Sequence, residues 1–176
     1  MIKLDSKQLR DIPVTDALDL SNNIKRRPIY LILENVYDTY NIGGLFRLAD
    51  ALAVTKIFLC GEMETPPNHK IKKASVGTYK IVPWVYKKTT IEAINELRNE
   101  NSNIQILAVE QSKKSIPYNK AKFTEPLALI VGNETFGVLP ETLDACDQIV
   151  EIPMWGVNKS LNVIVSAAIV AYHIQN

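Results

Sequence analysis

Residues 160–174, Ser-Leu-Asn-Val-Ile-Val-Ser-Ala-Ala-Ile-Val-Ala-Tyr-His-Ile, constrain the fold more than any other stretch. Placed on a helix at about 100° per residue, their apolar side chains cover almost the whole circumference. Only Asn162, Ser166 and His173 share a narrow polar stripe. A helix apolar nearly all round has to be covered on several sides. Two covers fit: the surrounding elements of a monomer, or a second subunit. A membrane does not, because the longest wholly apolar run, Ala167–Tyr172, is far short of the roughly 20 residues a span needs.

Upstream, short apolar runs alternate with amphipathic segments, the pattern of an α/β fold with a parallel sheet. Strands are expected at Ile29–Leu33, Lys56–Cys60, Ile81–Val85 (weakened by Pro83), Ile104–Val109, Leu127–Val131 and Ile149–Ile152. Asn41 is expected to cap a helix over Ile42–Ala53. Thr89-Thr-Ile-Glu92 reads as a capping box opening a helix to about Asn99. Pro140 suits the first turn of a short helix over Glu141–Cys146. The last helix is expected to run from Ser160, an N-cap residue, to Ile174. A chain of 176 residues suits one domain, here 28–176, preceded by a short segment 1–27 with helical character. Its start, Met-Ile-Lys-Leu-Asp-Ser-Lys, has no apolar signal-like core, so a cytoplasmic protein is expected. Cys60 and Cys146 have no metal-like spacing and read as buried thiols; His69 and His173 have no partners at ligand spacing, so no metal is expected.

The net charge is only +1, but it is unevenly spread. Residues 1–88 carry 14 Lys/Arg and 9 Asp/Glu, a balance of +5, whereas residues 89–176 balance to −4. Lys25-Arg26-Arg27, with Lys70, Lys72 and Lys73 and with Lys87-Lys88, cluster in the basic half. Such clusters are either solvated surface or a phosphate-facing side.

Three stretches point to chemistry. Asn41-Ile-Gly-Gly-Leu-Phe-Arg47 opens a helix whose core stripe is Leu45, Leu48, Ala49 and Leu52, which puts Arg47 on the opposite face. There it either pairs with Asp50 or meets a ligand. Gly132-Asn-Glu-Thr-Phe-Gly137 follows an apolar strand without the Lys-Ser/Thr of a phosphate-binding loop. Its glycines serve a tight turn, a close ligand approach, or both. Ile152-Pro-Met-Trp-Gly-Val-Asn-Lys-Ser-Leu-Asn162 leads into the last helix, where the buried amide expected at Asn162 must find partners.

In that order, the three stretches resemble the signature motifs of the SpoU/TrmH family, across residues 28–174. The resemblance implies a SPOUT fold: an α/β sheet, mostly parallel with helices on both faces, closed by a C-terminal trefoil knot. It implies RNA methylation at a ribose 2′-hydroxyl, with S-adenosylmethionine as donor, by a homodimer. The positions that match the family's catalytic pocket are Asn41, Arg47, Glu134, Ser160 and Asn162. Those expected at the cofactor are Val109, Gly132, Ile152, Met154 and Leu161. RNA, either tRNA or rRNA with tRNA favoured by the short N-terminal segment, is expected against Lys25, Arg26, Arg27, Lys72 and Lys73. A free arginine, with a pKa above about 12, is a poor base, so Arg47 needs help as a base or else positions a phosphate. Trp155 stands where many relatives keep a smaller or polar residue; it either stacks on a base or fills the core. Two rival readings remain: a base-modifying relative, and a silent RNA-binding one.

Overall fold

The computed structural model describes residues 3–174. In chain order these form helices α1 (Ser6–Asp11) and α2 (Val14–Asn22), strand β1 (Arg27–Glu34), α3 (Thr39–Ala51), β2 (Val54–Cys60), α4 (His69–Ser75) and β3 (Trp84–Lys87). Then come α5 (Thr90–Glu100), β4 (Gln105–Val109), β5 (Ile116–Pro117), β6 (Leu127–Val131), α6 (Pro140–Ala145), β7 (Gln148–Glu151) and α7 (Val163–Ile174). The seven strands make one sheet in the order β3-β2-β1-β6-β4-β7-β5, with every pair parallel.

The period-two alternation of a strand assigns side chains to the two faces. Ile29, Leu31 and Leu33 of β1 join Leu127, Leu129 and Val131 of β6 in a core under α3 and α7. Ile32, Ala128 and Ile130 face the other way, with Ala93, Ile94 and Leu97 of α5. Both faces of the central strands are covered, which is why these runs are almost continuously apolar.

Three expected boundaries move and one expected capping box is altered, each for a local reason. Residues 81–83 form a turn, and β3 starts at Trp84. Pro83 has no N–H to give a ladder, and its carbonyl accepts from Ile57 N at 2.9 Å. Helix α3 begins three residues early, because Asp38 caps it by accepting from Tyr40 N at 2.8 Å. Asn41 therefore lies inside the first turn, free to point elsewhere. At α5, Thr89 caps Glu92 N as expected, but the Glu92 carboxylate returns to Lys88 N, one residue outside the box. Helix α7 begins at Val163 rather than Ser160, and the side chain that accepts from its first turn is Asn162, bonded to Ile164 N at 2.8 Å.

Two adjacent glycines inside α3 look costly, since glycine weakens a helix interior by about 1 kcal/mol relative to alanine. Their neighbours explain them. A Cβ on Gly43 would overlap Ala74 Cβ and lie 2.8 Å from Ser75 N of α4. One on Gly44 would overlap Ile164 Cδ1 of α7. Helix α3 is thus pressed between α4 and α7 with no room for side chains.

Helix α7 is covered on one side. Ala167, Val170 and Ala171 are buried, whereas Val165 and Tyr172 are 44% and 49% exposed. His173 sits edge-on to Tyr118 and Phe123, with ring centroids 5.1 and 5.8 Å away, so it extends the apolar surface.

Candidate active site

In open parallel sheets ligands bind beyond the carboxyl ends of the strands. Here a cleft of about 230 Å³ opens there, walled by the ends of β4, β6 and β7, the loops that follow them, and the first turns of α7. The loop after β6 closes on itself: Asn133 N donates to Gly137 O and Gly137 N to Asn133 O, at 3.0 and 2.9 Å. The Asn133 side chain accepts from Thr135 N and Phe136 N and donates to Asn35 O, tying the loop to the end of β1. A Cβ on Gly132 would overlap the Gly137 carbonyl and lie 2.5 Å from Val138 N. The loop's own closure therefore demands glycine at 132, before any ligand is considered.

Two carboxylates hold the far side of this loop. Glu110 accepts from Gln111 N at 2.8 Å and Val138 N at 2.9 Å. Buried Glu34 accepts from Leu139 N at 2.7 Å and Thr142 Oγ1 at 2.5 Å.

At the rim, three distant side chains form one hydrogen-bonded corner. Asn162 Nδ2 donates to Asn41 Oδ1 at 2.9 Å, and Asn41 Nδ2 donates to Glu134 Oε1 at 2.9 Å. Glu134 also accepts from Tyr37 N and Asp38 N at 3.2 Å each, placing its negative charge at the positive end of α3. The corner fixes which way each amide points. Asn41 offers its carbonyl to Asn162, which leaves the second Asn162 N–H available.

Of the expected residues, Val109, Gly132, Glu134, Ile152, Met154, Ser160 and Leu161 line the cleft. Asn41 and Asn162 join them through the corner. Ser160 is exposed, and only its N–H is engaged, by Asn158 Oδ1 at 3.4 Å. Arg47 is exposed on the outer face of α3, about 9 Å along the axis from Asn41 at 1.5 Å per residue. It does not line the cleft, and among the described residues it makes no ion pair or hydrogen bond, with Asp50 or otherwise. Trp155 is 92% exposed and fills no core.

The basic triplet lies away from the cleft. Residues 25–27 lie at the amino end of β1, opposite the cleft, about 23 Å away along the eight-residue strand at 3.3 Å per residue. Arg26 is a structural pin: it donates to the carbonyls of Val54 and Ile81 at 3.0 and 2.9 Å and to Ser21 Oγ at 2.8 Å. Burial lowers the pKa of its guanidinium, against the opposing charge of Asp50. Burial likewise raises that of the Asp50 carboxyl, with Arg26 and Lys3 pulling it back. Arg27 pairs with Glu125 at 2.5 Å. Lys72 and Lys73 are exposed on α4, which packs against α3.

Sequence reasoning missed Glu110, Gln111 and Glu151, which also line the cleft. Gln111 Nε2 donates to Lys159 O at 2.5 Å, fastening the loop after β7. Glu151 accepts from Ser115 Oγ at 2.7 Å. The signal was their position: each is a polar residue at the carboxyl end of an apolar strand. With Glu134 they give the cleft three carboxylates, and among the described residues no Lys or Arg lines it.

Residues 28–172 match the model of the SpoU rRNA Methylase family. The chain is 30% identical over 152 residues to the 23S rRNA (guanosine-2′-O-)-methyltransferase RlmB of Neisseria meningitidis serogroup B, across 86% of this chain and 60% of that protein. It is 29% identical over 158 residues to the tRNA (guanosine(18)-2′-O)-methyltransferase of Aquifex aeolicus, across 86% and 70%. An AdoMet-bound rRNA methyltransferase from Sinorhizobium meliloti superposes with a TM-score of 0.78 at 25% identity, across 89% of this chain and 59% of that one. The chain thus spans about three fifths of the length of the RlmB relative.

Proposed function

We propose that this chain, which belongs to the SpoU rRNA methylase family, transfers a methyl group from S-adenosylmethionine to a ribose 2′-hydroxyl of RNA. The observation that carries the reading is the Asn162–Asn41–Glu134 corner at the rim of an acidic cleft. All three residues were expected at the catalytic pocket, and they come from segments far apart in the chain. S-adenosylmethionine would supply a methyl on a positively charged sulfur; transfer to the hydroxyl oxygen would break the S–CH3 bond, leave a neutral thioether and release the hydroxyl proton to solvent. Glu110, Glu134 and Glu151 give a field that favours such a cation. The self-closed loop at Gly132 offers backbone groups at close range. Ser160 Oγ and the second N–H of Asn162 are placed to orient a sugar hydroxyl. Arg47, unpaired and outward on the same helix as Asn41, clamps a substrate phosphate with its two-pronged guanidinium.

The protein works as a homodimer in the cytoplasm, with the end of the chain threaded as the family's knot. Trp155, Val157, Leu161, Val165 and Tyr172 are exposed apolar residues on and just before α7, which supports self-association. Among the described residues no helix is long and apolar enough to cross a membrane. The substrate is tRNA or rRNA: both kinds of 2′-O-methyltransferase stand among the relatives.

Incubation with methyl-labelled S-adenosylmethionine and total RNA tests the reading. The label is expected in a nucleotide whose 3′ linkage resists alkali, because the attacking hydroxyl is blocked. Label on a base would favour a base-modifying enzyme, and RNA binding without transfer a silent relative. Sedimentation should give twice the 19.8 kDa chain mass.

A further inference from the structure

Helix α1 is a puzzle in packing terms: it buries none of its own residues. Its carboxyl end is nonetheless held firmly. Lys80 Nζ donates to the carbonyls of Arg10 and Ile12 at 3.0 and 2.8 Å, a cation on the negative end of the helix. A Cβ on Gly77 would overlap Leu9 O and lie 2.6 Å from Leu9 C, so the turn after α4 is shaped to receive α1. Helix α2 is fixed beside it by Ser21 Oγ, which donates to Ile81 O at 2.6 Å. At the other end of α1, Lys3 lies close enough to Asp50 of α3 for its charge to act on that carboxyl. A helix so held, yet adding nothing to the core, serves what it presents outward.

It presents Lys7 and Arg10, both exposed. The turn after α4 that receives Leu9 joins α1 to α4, whose exposed cations are Lys70, Lys72 and Lys73, and α4 in turn packs on α3, which carries Arg47. Among the described residues none of these six forms an ion pair. Elsewhere Arg27, Lys56, Lys87, Arg98 and Lys114 each meet a carboxylate. The local acids offset the group only in part. The Asp5 carboxylate caps α1, accepting from Lys7 N and Gln8 N. Asp50 faces Arg26 and Lys3, and Asp11 is exposed.

We infer that α1, α4 and the outer face of α3 form one phosphate-binding surface that seats the RNA backbone beside Arg47, with Lys7, Arg10, Lys72 and Lys73 as its main contacts. This rests on the RNA reading above and replaces residues 25–27 as the RNA face. Exposed cations without ion pairs among the described residues, carried on elements packed against the helix of the proposed phosphate clamp, suit a polyanion, and each neutralised phosphate adds about 0.7–0.9 to the log–log salt slope.

The test compares Lys7→Glu/Arg10→Glu with Lys120→Glu/Lys122→Glu, an equal charge change beyond β5 at the far sheet edge. Anisotropy with labelled bulk tRNA, methyl transfer to total RNA, and S-adenosylmethionine calorimetry are read for each. In the first variant RNA affinity should fall tenfold or more, the salt slope should flatten by about 1.5, and KM for RNA should rise while cofactor affinity holds. Lys72→Glu/Lys73→Glu should do the same, and the Lys120/Lys122 variant should match wild type. Unchanged RNA affinity and slope in both α1 and α4 variants, or an equal loss in the Lys120/Lys122 variant, overturns the surface while a methylating wild type leaves the function standing. Equal, variant-sensitive binding to vesicles of anionic phospholipid also overturns it. A wild-type protein that neither binds RNA nor transfers methyl refutes the underlying function instead.

Discussion

Gly43 and Gly44 allow a sharp test, because alanine makes the same propensity gain at both, about 1 kcal/mol, against different neighbours. At Gly44 the new methyl meets Ile164 Cδ1, the tip of a flexible side chain, with Cγ1 behind it at 3.2 Å. Turning that tip aside costs about 0.5–1.5 kcal/mol, so Gly44→Ala should be close to neutral in stability. At Gly43 the methyl meets Ala74 Cβ, with Ser75 N at 2.8 Å and Ala74 C at 3.0 Å. None of these can rotate away, so α4 must shift, an overpacking cost of about 1–3 kcal/mol. After the propensity gain, Gly43→Ala should lose up to about 2 kcal/mol, or roughly 4–8 °C in Tm for a domain this size. Activity should follow the same order. Ile164 lies two residues beyond Asn162, whose side chain accepts from Ile164 N. A turned tip leaves that N–H and the rim corner in place, so Gly44→Ala should keep both its Tm and its methyl transfer. Thermal scans and single-turnover transfer read both quantities. Two variants with the same Tm would refute the close-packing argument.

Arg47→Ala should leave Tm within the roughly ±0.5 kcal/mol of a surface change, yet cut methyl transfer at least tenfold at equal cofactor affinity. Arg47→Lys should recover little, since an ammonium lacks the planar fork. Arg26→Ala should lower Tm, because it removes the Arg26 donor from the Val54 carbonyl at about 1–3 kcal/mol for a group that loses its partner, while Ile81 O keeps Ser21 Oγ; Lys25→Ala should not. Burial pushes the thiols of Cys60 and Cys146 up to about 12. At pH 8 native protein should alkylate on the order of a thousandfold more slowly than unfolded protein, and rapid labelling of the native thiols would contradict that burial.

The sequence made the sheet legible because each buried strand is a short, dense apolar run, and parallel strands covered on both faces need no polar alternation. The cleft was legible at Gly132, where a glycine ends an apolar strand, and at Asn162, an amide on an otherwise apolar helix; Asn41 came to it only through the motif resemblance. Caps misled. Asn41 and Ser160 are both good N-cap residues, but Asp38 and Asn162 took those roles, which freed the two for the site. Arg26 was unreadable, since a charge near the surface in sequence gives no sign of the carbonyls that fold around it. The helical character of the first segment was expected, but the docking of α1 was not, because it joins no core and its partners at Gly77 and Lys80 lie about seventy residues on.

The rim corner has a consequence in time. Asn41 is its pivot, yet the bonds that orient it reach 93 residues onward to Glu134 and 121 residues onward to Asn162. During synthesis, β1 and α3 leave the ribosome long before either partner exists. Glu134 can turn the Asn41 amide once the loop after β6 is in place, but until the last helix docks, Asn41 Oδ1 has no Asn162 to receive and the loop after β7 has no anchor at α3. A chain cut short before α7 would form much of the sheet and still lack a complete rim corner. Competence in this protein is therefore a property of the finished chain, acquired at the final step of its folding.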